Sequence, residues 1–316
     1  MRIAIIGVGA MGCLFAARLS RVANVKMLGT WRDGVDAIRA RGIALDSATE
    51  NETTRVFATL DPNDIGECDL AIIARKSWQT DHAAEQTAQI LARAGIALTL
   101  QNGLGNFEKI ARAVGAQRAA LGVTTQGAAL IGPGHIQYAG GGATHIGGDQ
   151  PALEQIVELF QRAGFETHRS ENVQSLLWSK LAVNCGINAL TAILRAPNGE
   201  LIARADAAEL MRRAARECAA VARARGIELP YADAGERARE VARVTARNRS
   251  SMFQDLLRGA PTEIEAINGA VAREGARLGV PTPTNEMLWH LMRAIVNGDE
   301  SSVAIHLDQR VKQNSQ

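Results

Sequence analysis

A doubly wound α/β sheet domain followed by an all-α domain is predicted for this chain by three observations. A glycine-rich turn joins an opening strand to a helix, strand and helix signals alternate through the first half, and the second half is Ala-, Arg- and Glu-rich with helical periodicity. At 316 residues the chain exceeds the usual span of one hydrophobic core, so two domains are the default. The change in texture sets the boundary near 170. Residues 1–170 are expected to form the sheet domain and 171–316 the helical one.

The opening segment, Met1-Arg-Ile-Ala-Ile-Ile-Gly-Val-Gly-Ala-Met-Gly12, reads as strand, turn and helix. Ile3 to Ile6 make the strand, and helix-compatible residues follow from Cys13 to Leu19. Gly7, Gly9 and Gly12 fit G-x-G-x-x-G: the first allows the tight turn, the second lets backbone approach a pyrophosphate, and the third permits close helix–strand packing. The bare motif also fits a simple glycine turn. Its place directly after the opening strand favours a Rossmann-type dinucleotide site, with Gly7, Val8, Gly9, Ala10, Met11 and Gly12 as candidate contacts.

The second strand, 25–29, runs towards Trp31 and Arg32. An NAD-binding unit usually carries an acid at that strand end, whereas here the position falls on Arg32. Arginine there can clamp a ribose 2′-phosphate, which favours NADP (NADPH). Asp33, one residue later, is the rival, and Arg32 also suits an ordinary surface position.

Further strands are expected at 69–74 and 96–100, with short ones near 43–46 and 54–58, and helices at 11–22, 33–40, 80–94 and 106–115. The Gly- and β-rich stretch 121–148 suggests an antiparallel extension, closed by a helix at 152–163 and a strand at 165–169. Ligands of such sheets bind beyond the carboxyl ends of the strands. Two segments there carry suggestive chemistry. Ala71-Ile-Ile-Ala-Arg-Lys76-Ser-Trp78 ends a buried strand with cations, which suits a phosphate or a solvated strand end. Asn102 precedes a glycine after the next strand, as a plain turn or as an amide facing a nicotinamide and substrate.

The helix expected at 171–194 is the most telling segment. Lys180, Asn184 and Asn188 stand at i, i+4 and i+8 in an otherwise apolar run. Each step of four advances about 40°, so the three fall near one face. An apolar setting lowers a lysine's pKa and makes it a usable proton donor near neutrality. A snorkelling lysine above two amides is the plainer alternative. A second polar cluster runs from Asn248 through Ser250, Ser251 and Asp255 to Pro261-Thr-Glu263. By spacing alone the serine pair reads as a helix N-cap and Pro-Thr-Glu as a helix start.

Composition narrows the class. A 47% hydrophobic content supplies ample core, and a net charge of +2 gives no nucleic-acid signature. No apolar stretch is expected to reach the roughly 20 residues of a membrane span, and the N-terminus enters a strand at once. A cytoplasmic location follows as the expectation. Cys13, Cys68, Cys185 and Cys218 are scattered and read as reduced packing residues, and no metal site is expected from six dispersed histidines. A homodimer is compatible with the helical half, whose spacing does not locate an interface.

On these residues the chain resembles the ketopantoate reductase (2-dehydropantoate 2-reductase) family over nearly its whole length. The matching segments are IIGVGAMG at the start, KSWQ at 76–79, QNGLGN at 101–106, THIGG at 144–148, and LLWSKLAVNCGINALTAIL at 176–194. APNGEL at 196–201, NRSSMFQD at 248–255 and PTEIEAING at 261–269 complete the set. The match is looser at 31–36, where a residue is inserted. The resemblance implies NADPH-dependent reduction of 2-dehydropantoate to pantoate, in pantothenate and coenzyme A biosynthesis. It implies Lys180 as general acid and Glu263 as the group that orients the substrate hydroxyl. Asn102, Asn184, Asn188, Asn198, Asn248 and Ser251 would line the substrate pocket, in a cleft between the domains. Arg32 and Lys76 would hold the adenosine phosphate end of the cofactor, and Asn102 would meet the cofactor as well as the substrate. Two alternatives remain: a reductase of another 2-oxo acid or an opine-type dehydrogenase, and a non-catalytic NADPH sensor. Retention of Lys180, Asn184 and Glu263 counts against the sensor.

Overall fold

The computed structural model describes residues 1–49 and 51–297. The final part of the expected helical domain, 298–316, lies outside the described residues. The chain divides into two compact units, Met1–Lys180 and the residues from Leu181 onward. The fold class is the expected one: a doubly wound α/β unit and a helical unit.

In the first unit, β1 (Arg2–Ile6), α1 (Ala10–Leu19), β2 (Asn24–Leu28) and α2 (Arg32–Arg41) lead to β3 (Ile43–Asp46), β4 (Asn51–Thr54) and β5 (Phe57–Thr59). Next come β6 (Cys68–Ile73), α3 (Thr80–Ile90), β7 (Leu91–Thr99), α4 (Asn106–Val114) and β8 (Ala119–Thr124). The unit continues with β9 (Ala128–Gly132), β10 (His135–Tyr138), β11 (Thr144–Gly147), α5 (Leu153–Arg162), β12 (Thr167–Arg169) and the first part of α6 (Val173–Leu194). The main sheet has eight strands in the order β12-β11-β8-β7-β6-β1-β2-β5. Every pair in it is parallel except β11 with β8. The run from β5 to β8 has the doubly wound order, and chain direction across the sheet reverses between β1 and β6, the switch point where such folds bind ligands. Ile3–Ile6 and Leu70–Ile73 are apolar and buried, as central parallel strands covered on both faces must be. On one face Phe15 of α1 packs on Phe160 and Phe165, with ring centroids 5.9 and 5.4 Å away.

Four expectations are corrected. The helix foreseen to 94 stops at Ile90, because Leu91 pairs with Cys68 and a bulge follows before Ile96 pairs with Leu70. Sheet pairing there overrides the helix propensity of Ala92, Arg93 and Ala94. The strand foreseen at 54–58 is two strands in two sheets: β5 extends the main sheet, while β4 joins a second sheet ordered β4-β3-β10-β9. The stretch 121–148 is only partly an antiparallel extension. Strand β8 continues the parallel sheet after α4, whereas β9 and β10 form a hairpin in the second sheet, with β10 parallel to β3.

The second unit holds the later part of α6, then α7 (Asn198–Ala203), α8 (Ala205–Ala224), α9 (Ala234–Val244), α10 (Ser251–Leu257), α11 (Asn268–Leu278) and α12 (Pro283–Asn297). Helix α8 is central and packs against α7, α9, α11 and α12. Its buried face is Met211, Ala214, Ala215, Cys218, Val221 and Ala222, a spacing of three and four. The Glu217 carboxylate of α8 accepts from Thr284 N and Asn285 N, 2.9 Å each, and so caps the N-terminus of α12. The four cysteines are buried and unbridged. Burial pushes the Cys13 and Cys68 thiols up to about 12.

The fourth correction concerns α6. It has 22 residues and an 18-residue window of mean hydropathy 1.3, so by length and composition it could cross a membrane, contrary to the expectation that no stretch would. Of that window 67% is buried inside the protein. The helix is apolar because it is a core element.

Candidate active site

The glycine loop is built as the motif demands. Gly7 has φ +134°, and its N donates to Leu28 O at 2.8 Å, tying the end of β1 to the end of β2. A Cβ on Gly7 would stand 2.8 Å from Ala74 O, and one on Gly12 only 2.1 Å from Gly7 O. Both positions therefore need glycine for close approach. Gly9 is different: a Cβ there would meet nothing within 4 Å. Gly9 is also the N-cap of α1, with no side-chain cap and no acid in the first turn. The helix thus presents unpaired N–H groups and its positive end beside open space, an arrangement suited to an anion. Val8 is buried, and Ala10 and Met11 are half-buried.

Arg32 is exposed and opens α2, a few residues past the end of β2, with Asp33 beside it in the first turn. Lys76 is half-buried past the end of β6. Its neighbour Arg75 is only 6% exposed. The Arg75 Nη2 reaches Leu28 O at 3.5 Å, while Nε and Nη1 are buried with no partner. Burial pushes this guanidinium down to about 10, which leaves it charged at neutral pH. In the sequence Arg75 stands out only as one of two adjacent cations after the strand. Which of two adjacent cations turns inward depends on the strand end, and spacing does not show it.

A buried polar chain orders the next loop. Gln101 Nε2 donates to Arg75 O and to Thr80 Oγ1, both at 2.9 Å. Thr80 Oγ1 donates to Asn106 Oδ1 at 2.8 Å, and Asn106 Nδ2 to Asn102 O at 2.9 Å. Asn102 is thereby held past the carboxyl end of β7. Lys180 stands by the adjacent strand: its Nζ donates to Thr124 O, the last residue of β8, at 2.7 Å. Thr124 is itself fixed by a 2.8 Å hydroxyl contact with Thr144. The glycine loop, Arg75, Asn102 and the Lys180 ammonium therefore share the carboxyl edge of one sheet.

In the second unit α6 carries Asn184, half-buried, and Asn188, 6% exposed. The helix is continuous from Val173 to Leu194, so the spacing of four does put Lys180, Asn184 and Asn188 near one face. It ends at Arg195, whose φ of +49° is left-handed, with Ala196 N returning to Thr191 O at 3.1 Å. That reversal brings Asn198 N to Asn248 O at 2.9 Å. Asn198 Nδ2 donates to Thr245 Oγ1 at 2.8 Å, and its Oδ1 is buried without a partner. Asn248 is exposed. Of the serine pair, Ser250 is the N-cap of α10, accepting from Phe253 N at 3.1 Å and meeting Thr191 Oγ1 at 2.7 Å. Ser251, half-buried, is not used by the cap. Pro261-Thr-Glu263 does not start a helix. It precedes a turn in which Ala266 N and Ile267 N both return to Glu263 O at 3.1 Å, and α11 begins at Asn268. The Glu263 residue is 5% exposed. Among the described residues no group of three or more His, Cys, Asp or Glu could hold a metal ion.

The residues present fit a dinucleotide phosphate on two observations: the open space over Gly9 and the uncompensated buried charge of Arg75. A doubly wound sheet with this loop and edge is the architecture of a dinucleotide-binding protein. Comparison with known proteins gives the family. Residues 3–150 match the family described as "Ketopantoate reductase PanE/ApbA", and residues 172–296 match its C-terminal family. The 2-dehydropantoate 2-reductase of Archaeoglobus fulgidus is 34% identical over 301 residues, covering 94% of this chain and 98% of that protein. The solved PanE/ApbA family ketopantoate reductase of Ralstonia eutropha JMP134 is 36% identical with a TM-score of 0.88, covering 94% of this chain and 99% of that one. D-mandelate dehydrogenase, solved with NADH and anilino(oxo)acetate, is 27% identical with a TM-score of 0.86 over the same shares. The chain belongs to the ketopantoate reductase family. It is an NADP-dependent oxidoreductase.

Proposed function

We propose that this chain reduces 2-dehydropantoate to pantoate with NADPH, in the cytoplasm, as a step of pantothenate and coenzyme A biosynthesis, with Lys180 as the general acid. The observation that carries the reading is the Lys180 ammonium, held by a backbone carbonyl at the carboxyl edge of the sheet. When bound, NADPH supplies the hydride that adds to the C2 ketone carbon. Lys180 donates its proton to the oxygen as the alkoxide forms, and its charge stabilises that oxygen beforehand. A carbonyl such as Thr124 O orients the ammonium without competing for the proton. Asn184, Asn188, Asn198, Asn248 and Ser251 hold the 2-oxo acid, and Glu263 accepts from its terminal hydroxyl. Asn102 orients the reacting end. Gly7, Val8, Gly9, Ala10, Met11 and Gly12 receive the pyrophosphate, and Arg32 and Lys76 the adenosine phosphate.

The test is loss of nicotinamide absorbance with 2-dehydropantoate and a panel of other 2-oxo acids, each with NADPH and with NADH. Turnover confined to 2-dehydropantoate and favouring NADPH is expected. Lys180→Ala should lower kcat by about 10²- to 10⁴-fold while NADPH affinity holds. Near wild-type turnover in that variant would remove Lys180 from the role. The second reading, reduction of another 2-oxo acid, is favoured by the likeness to D-mandelate dehydrogenase, and the same panel would reveal it. A homodimer belongs to the proposal too. It is supported by Met287, Leu291 and Ile295, exposed at spacings of four on α12, and light scattering measures it.

A further inference from the structure

We propose that Arg75 selects the cofactor: its guanidinium, buried under the glycine loop, is the counter-charge for the 2′-phosphate of NADPH. This rests on the NADPH reading above. Three features carry it. The Arg75 Cγ lies 3.2 Å from where a Cβ on Gly7 would be, and Nη2 reaches Leu28 O at the end of β2. The side chain therefore runs from the end of β6, past the end of β1, to the end of β2. In doubly wound folds the end of the second strand is where the ribose 2′ group is read.

The second feature is the missing partner. Nε and Nη1 are buried and unpaired, and among the described residues no carboxylate pairs with Arg75. A lone buried cation is costly, and an apolar side chain of the same size would serve the fold better. A positive charge kept there is explained by an anion that arrives from outside. The third feature is rigidity. Gln101 Nε2 holds Arg75 O at 2.9 Å, so the main chain from which the guanidinium projects is fixed by the same buried network that orders Asn102. Arg32 and Lys76 are both more exposed than Arg75.

The experiment uses the full chain and the variants Arg75→Met, which keeps the apolar stem, and Arg75→Gln, which is shorter but keeps polarity without the charge. NADPH and NADH dissociation constants are measured by fluorescence titration at two salt concentrations, with the unfolding midpoint of the ligand-free protein. The expected result is NADPH binding weakened about 10- to 100-fold, a change of less than about threefold for NADH, and an unchanged or raised midpoint. The salt dependence of NADPH binding should also fall. Equal weakening of both cofactors would overturn the proposal, because the charge would then serve the shared pyrophosphate or the fold. Unchanged NADPH binding would overturn it as well. If Arg75→Met does not fold, Arg75→Gln must show the same selective loss or the proposal fails. A wild-type chain with no NADPH preference would instead overturn the cofactor reading on which it rests.

Discussion

Replacing Gly9 by alanine separates what the glycine loop does for the fold from what it does for the cofactor. At Gly9 the backbone is at φ −81°, ψ −173°, which alanine adopts without strain, and the new methyl would meet nothing within 4 Å. Alanine is a poorer N-cap than glycine by some tenths of a kcal/mol up to about 1. Reduced freedom of the unfolded chain returns about 0.4–1 kcal/mol. The two nearly cancel, so the stability of Gly9→Ala should lie within about 1 kcal/mol of wild type. The methyl does fill the space through which backbone N–H groups would reach a phosphate. Loss of one charge-assisted hydrogen bond, about 1.5–3 kcal/mol, corresponds to a roughly 10- to 150-fold weaker NADPH Kd. Gly12→Ala provides the contrast, because its methyl would lie 2.1 Å from Gly7 O, a backbone atom that cannot yield without moving the loop. It should cost about 1–3 kcal/mol or more in stability. Calorimetric titration with NADPH and urea unfolding measure both quantities. Wild-type NADPH affinity in Gly9→Ala would refute the placement of the phosphates over Gly9, and a folded Gly12→Ala of undiminished stability would refute the packing argument.

Three further outcomes are expected. Glu263→Gln should raise KM for 2-dehydropantoate well above its effect on a 2-oxo acid lacking the terminal hydroxyl; equal effects in steady-state kinetics would exclude the proposed contact. Arg195→Gly should stabilise the protein by about 1 kcal/mol, because φ +49° is unfavourable for any residue with a Cβ, and scanning calorimetry would show a midpoint a few degrees higher. Asp233 caps α9 through Gly235 N at 2.7 Å and pairs with Arg216 at 2.7 and 3.0 Å. The Arg216 guanidinium, with the two cap N–H groups, holds its carboxyl down at about 2. A carboxylate depressed in the folded state contributes above its unfolded value near 3.8 and loses that contribution as pH falls towards 2. Asp233→Ala should therefore cost about 1 kcal/mol at pH 7, and the gap in urea unfolding should narrow steadily below pH 4. A gap independent of pH would exclude the ion-pair contribution.

The parts legible in the sequence were those fixed by local periodicity. The glycine loop, the apolar β1 and β6, and the face shared by Lys180, Asn184 and Asn188 all follow from residues within a few turns of each other. The second sheet was not legible, because β10 pairs with β3 across a long stretch of chain and no local pattern encodes that partner. Leu91–Gly95 misled for a related reason: its alanines and arginine favour a helix, and pairing with Cys68 decides otherwise. Pro261-Thr-Glu263 has the composition of a helix start, yet the chain makes an isolated turn there and delays the helix to Asn268. In the candidate site, residue types were readable but their anchors were not. Nothing near Lys180 in the sequence points to Thr124, and nothing in Arg75-Lys76 says which cation is buried.

The contact between Lys180 and Thr124 has a consequence for variation. The acceptor is a main-chain carbonyl, which every residue type carries, so the hydrogen bond itself does not require a threonine at 124 provided the strand holds its place. Substitutions of Thr124 that leave the strand in place should be silent at Lys180, and the information that aims this side chain is spread over the ladder of β8 with its neighbours. A protein built this way can drift in sequence along its sheet while keeping one nitrogen where it is.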